Sequence, residues 1–120
     1  MARYVSQVTN EKENIMAEFH HFGVPCKSPS PGANYLEGAK VHVSDPEAHP
    51  YRIEFLCFDA DSPMPEAIRK GPHAAFLVPS LDAALEGQNV ILEPFYATDE
   101  LRCAFIQDGD AVLELMEKRQ

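Results

Sequence analysis

The sequence predicts an α+β domain dominated by strands and built around a duplicated unit. Three observations carry this. Short runs rich in Val, Ile, Leu and Phe recur along the 120 residues, separated by Pro, Gly and Asp. Ser80 to Gly87 carries a full set of helix start and stop residues. Two pairs of segments also repeat one pattern, a strand bearing a His and then a strand bearing a lone Glu.

Taken in order, Met1 to Ala17 reads as a loose arm or a short helix around Asn10 to Ala17. Glu18 to Val24 is aromatic-rich and stopped by Pro25, which predicts a strand. Pro25, Pro29 and Pro31 then exclude a helix and a central strand. Ala39 to Ser44 alternates apolar and polar residues, as a half-buried strand does, and Asp45-Pro46 begins a turn. Tyr51 to Phe58 is the strongest strand of the first half. Asp59 to Gly71 reads as loop with one helical turn near Pro65 to Lys70, and His73 to Val78 as a strand. In the helix from Ser80 to Gly87, Ser80 caps the start, Asp82 sits at the positive end of the dipole and Gly87 closes it. Val90 to Leu92 is a short strand, followed by a loop holding Phe95 and Tyr96. Leu101 to Gln107 and Ala111 to Glu117 form a hairpin around Asp108-Gly109.

Composition narrows the function. Apolar residues make up 45% and charged residues 24%, a globular balance in a chain of single-domain length, 1–120. No apolar stretch approaches the roughly 20 residues of a membrane helix, and no secretory leader is expected. The net charge of −9, with 19 acidic against 10 basic residues, argues against a nucleic-acid partner. Three widely spaced cysteines without a CxxC fit a reducing, cytoplasmic setting better than a disulfide framework.

The repeat places His21 before Glu54 by 33 residues and His73 before Glu114 by 41. The difference equals the eight residues of the helix, so the first copy reads as one that lacks its helix, with Pro25 to Pro31 in its place. An ionised carboxylate in an apolar strand costs several kcal/mol unless it is compensated. Arg52 pairing with Glu54, exposure of each Glu to water, and core histidines held by hydrogen bonds are the plain solutions. The other is a metal, because two His and two Glu form a ligand set for a first-row divalent ion. The fourfold recurrence favours the metal.

These residues also carry a resemblance. His21-Phe22-Gly23-Val24 resembles the opening strand of the vicinal-oxygen-chelate superfamily, the group of glyoxalases, bleomycin-resistance proteins and extradiol dioxygenases. Pro72 to Leu85 is similar to that group's central strand and connection, and Ala104-Phe105-Ile106, Asp108-Gly109 and Leu113-Glu114-Leu115-Met116 to its closing hairpin. The resemblance implies two βαβββ modules, 18–58 and 72–118, forming an open U-shaped mixed sheet, the first module without its helix. It implies His21, Glu54, His73 and Glu114 as ligands of Zn, Ni, Co, Mn or Fe. A Glu at position 54 is similar to the glyoxalase and epimerase branches. This implies proton transfer next to a metal-chelated carbonyl of a small molecule, with Glu114 or Glu54 as base and Glu114 slightly favoured.

Strand parity places Arg52, Leu56, Ala75, Leu77, Val112 and Met116 on the ligand faces. Arg52 then holds an anionic substrate or neutralises Glu54. His20 adjoins His21, and a one-residue slip would exchange them. Phe95 and Tyr96 either shape an entrance or simply pack, Cys57 and Cys103 are core, and His42 and His49 face solvent. The alternative function is metal-free sequestration of a small molecule, as in bleomycin-resistance proteins. A third is a structural or regulatory module without a metal. The incomplete first module leaves surface uncovered, which predicts a homodimer.

Overall fold

The computed structural model describes residues 7–10 and 15–119. Its elements are β1 (Gln7–Asn10), β2 (Ile15–Pro25), β3 (Asn34–Leu36), β4 (Val41–Val43), a 3-10 turn (Pro46–Ala48) and β5 (Ile53–Phe58). Then come α1 (Glu66–Lys70), β6 (His73–Leu77), α2 (Leu81–Leu85), β7 (Val90–Thr98), β8 (Leu101–Asp108) and β9 (Ala111–Lys118). No helix among the described residues is long and apolar enough to cross a membrane.

All the strands join one mixed sheet in the order β3-β4-β5-β2-β6-β9-β8-β7, with β1 paired to β2 off this path. The eight strands of the path curl into a half-barrel with few helices. The two halves of the order mirror each other. β2 runs parallel to β5, β6 runs parallel to β9, and β2 and β6 meet antiparallel at the centre. The central strands therefore carry both histidines, and their parallel neighbours carry both glutamates.

Two cores follow from the alternation of side chains across the sheet. On the outer face α2 covers the second half, packing Leu81 and Ala84 against Ala104, Ile106 and Leu115. Ser80 Oγ accepts from Ala83 N at 3.2 Å, and the Glu117 carboxylate accepts from Leu81 N at 2.6 Å, so two oxygens satisfy the first turn. On the inner face Ala75, Cys103 and Met116 pack as a small cluster beneath the candidate site.

Several expectations change. Gln7–Asn10 is a strand and Ile15 to Ala17 begin β2, so a helix does not run over these residues; 11–14 and the start of the arm lie outside the described residues. β3 stands where no strand was expected. β7 runs on through Phe95 and Tyr96 instead of ending at Leu92. Pro94 is tolerated because β7 is an edge strand with a register shift between Leu92 and Phe95. His42 and His49 are half-buried, their rings against Tyr35 and Phe55 respectively. Cys103 is buried, Cys57 is half-buried with its thiol toward Lys27 O, and all three cysteines are free.

Candidate metal centre

Register alone brings four candidate ligand residues to one face. Gly23 of β2 pairs with Glu54 of β5 on one side and His73 of β6 on the other. Ala75 of β6 pairs with His21 of β2 and Glu114 of β9. Partners across a sheet point to the same side, so each row is a Glu and a His flanking a small residue. Gly23 and Ala75 leave room for the longer side chains to converge above them. At Gly23 the room is essential: a Cβ there would lie 2.2 Å from His73 Cε1.

One ligand atom from each of His21, Glu54, His73 and Glu114 lies within 4.8 Å of all the others. His21 Nε2 is 3.4 Å from Glu54 Oε1 and 3.3 Å from Glu114 Oε1, and His73 Nε2 is 3.2 Å from Glu114 Oε1. Two ligands on one ion at about 2.0–2.2 Å stand roughly 3–3.5 Å apart when adjacent, so these spacings suit a shared ion. His21, His73 and Glu114 are buried and Glu54 is half-buried. Among the described residues, His21 Nε2 and both ring nitrogens of His73 are buried without a hydrogen-bond partner. Buried polar atoms left that way are costly, and imidazole nitrogens aimed at two carboxylates are what a divalent ion would satisfy. The donor set fits such an ion.

Without a metal the cluster balances itself by protons. Burial works to lower the His21 imidazole, but the Glu114 and Glu54 carboxylates outweigh it and raise it to about 9. Burial likewise works to raise Glu114, and His21 and His73 overcome it, holding the carboxyl at about 2. Burial, reinforced by Glu114, pushes the Cys103 thiol up, so it stays neutral.

A cavity of about 210 Å³ opens over these residues, with Leu56, Ile68, Phe105 and Met116 among its apolar walls. Leu56 and Met116 lie where strand parity expects them. A second chamber of about 510 Å³, between the edge strands β3 and β7, shares Leu36, Ala39, Met64, Phe95 and Ala97 with it. Tyr96 lines this outer chamber, and the Phe105 ring meets His73 edge-on at 5.1 Å.

Arg52 is placed otherwise. It precedes β5 with φ 57°, which breaks the strand alternation, and its Nε donates to the His20 carbonyl. It lines neither chamber and forms no ion pair with Glu54, whose carboxylate faces His21. The uncertainty between His20 and His21 resolves differently as well. His21 joins the cluster, and His20 lines the same cavity beside it.

Sequence reasoning missed the roles of Gly23, Phe105 and the α1 residue Ile68. Gly23 was the recoverable one, as a glycine inside a strong strand marks a close approach.

No family model matches the chain, and no curated protein matches it in sequence. Among solved structures the chain is similar to hypothetical protein BH1468 from Bacillus halodurans C-125, with a TM-score of 0.63. The two are 16% identical over 87% of this chain and 96% of that one, a likeness of fold. That neighbour and the curled mixed sheet are compatible with a glyoxalase-like fold.

Proposed function

We propose that the protein is a metal-dependent enzyme of the glyoxalase type, an isomerase, lyase or epimerase that moves a proton next to a chelated carbonyl of a small molecule. The single observation that carries this is the convergence of His21, Glu54, His73 and Glu114, the first, second and fourth of which line a cavity. A divalent ion bound there supplies Lewis acidity to two vicinal oxygens of the substrate. The mirrored strand order supports the paired-module reading, with the first module lacking its helix.

The base is better placed at Glu54 than at Glu114. Glu114 faces both imidazoles, which suits a ligand held in place by its neighbours. Glu54 faces only His21 and is the more exposed of the two side chains, 16% against 10%. The apolar walls and the lining carboxylates Glu37 and Glu47, with no Lys or Arg among the described lining residues, favour an uncharged or cationic substrate. This replaces the anion-binding role expected for Arg52. A homodimer is part of the same proposal, supported by the exposure of Phe22 on the outer face of the first half.

The test is wash-in of solvent deuterium next to the carbonyl of α-hydroxyketones, followed by proton NMR. Metal-loaded wild type is expected to exchange. Glu54→Gln, whose amide oxygen still ligates, is expected to keep its metal and slow exchange by about 100-fold or more. Undiminished exchange in that variant would remove Glu54 as base. If the metal neither binds nor alters exchange, metal-free sequestration becomes the better reading.

A further inference from the structure

Adjacent residues of a strand ordinarily point to opposite faces. His20 and His21 do not, because the β2–β6 register passes from Phe19↔Phe76 directly to His21↔Ala75. Two residues of β2 advance against one of β6, and His20 is the extra residue of a β-bulge. The bulge turns its ring into the cavity and brings its Nδ1 to 2.8 Å from His21 Nδ1. The surroundings hold it there. Arg52 Nε donates to the His20 carbonyl, and Phe22 N donates to Arg52 O at 2.9 Å. On the far side of the ring, His20 Nε2 is 3.8 Å from the Glu47 carboxylate, whose own backbone N–H is bound by Asp45 Oδ1.

We propose that His20 is a positioning residue for the metal centre, accepting the Nδ1–H of His21 and so fixing His21 to offer Nε2 to the ion. The inference rests on the metal reading above. A neutral imidazole that ligates through Nε2 carries its proton on Nδ1, and the group bonded to that N–H sets the ring's tautomer and orientation. His20 Nδ1 is the partner that faces His21 Nδ1. As acceptor, His20 carries its own proton on Nε2, facing Glu47. The Glu47 carboxylate lies beyond hydrogen-bond reach of that N–H and places negative charge on that side of the ring. Among the described residues the second half has no counterpart: Pro72 stands before His73, and His73 Nδ1 has no hydrogen-bond partner there. The two histidine ligands are therefore inequivalent, and His21 is the oriented one.

The test uses Co(II) alone as probe, on the full chain stripped of metal and reloaded. His20→Phe keeps a ring but removes the acceptor. His20→Asn places an amide oxygen near the position of Nδ1. Circular dichroism of the metal-free forms confirms that both variants fold. The expected result is a loss of Co(II) affinity of about 10- to 100-fold in His20→Phe, with most of it regained in His20→Asn. Proton NMR of the Co(II) form is expected to show a shifted, slowly exchanging ring N–H that His20→Phe loses. Equal affinity of wild type and His20→Phe, or an unchanged N–H resonance, would overturn the positioning role alone. A wild type that takes up no Co(II) would overturn the metal reading and this role with it.

Discussion

Gly23 and His73 face each other across β2 and β6, and the imidazole fills the space where any other residue at 23 would put its Cβ. Gly23→Ala therefore drives His73 out of the cluster. The expected outcome is a destabilisation of about 1–3 kcal/mol by overpacking, together with loss of metal binding. Denaturant unfolding and metal titration check the two parts separately. The charge balance at His21 and Glu114 sets a second expectation. His21 is raised in the folded protein, so its contribution is complete below its ordinary 6.5 and is lost as pH rises through about 9. Glu114 is lowered, so its contribution is complete above its ordinary 4.5 and is lost as pH falls through about 2. The metal-free cluster thus stabilises the fold most between pH 4.5 and 6.5. Tm of chelator-treated protein is expected to fall from pH 6.5 toward 9, and less steeply in His21→Phe. A wild-type Tm that is flat across that interval would contradict the assignment. The four residues of the cluster were legible in the sequence because a lone Glu in an apolar strand and a His at a strand start are unusual, and both recurred. Which of His20 and His21 would ligate was not legible, since a bulge leaves no mark in an aromatic run.

At the scale of elements, the β2, β5, β6, β8 and β9 segments were readable because each is long enough to show an apolar run bounded on at least one side by Pro, Gly or Asp. α2 was readable because its cap is local: Ser80 Oγ reaches Ala83 N within one turn. β3 was not readable, as three residues, two of them exposed, carry no periodicity. The extension of β7 was hidden by Pro94, which stops a central strand and is harmless at an edge. Arg52 shows the limit of parity arguments. Its φ of 57° lies in the left-handed region, so the alternation counted back from Glu54 fails one residue before the strand starts. The side chain that parity aimed at a substrate instead anchors the bulge at His20.

For the whole molecule, the mirrored strand order matters more than any one element. Each half contributes one His and one Glu, so the site forms only where the halves meet at β2 and β6. The halves differ on their outer faces. α2 covers the second, while the first exposes Phe22 at 40% with no helix between β2 and β3. A second copy covering that face would bury it, so light scattering is expected to give twice the 13.4 kDa chain mass. Phe22→Asp is expected to give monomers, and a monomeric wild type would contradict the dimer.

The central claim is that both halves supply ligands to one ion. Elemental analysis of untagged protein, purified without chelator, tests it most directly beside His73→Ala and Glu114→Ala. Near-stoichiometric Zn, Ni, Co, Mn or Fe is expected in the wild type, and its loss in both variants. A wild type that holds no metal after reconstitution with each ion, or variants that retain it fully, would contradict the account.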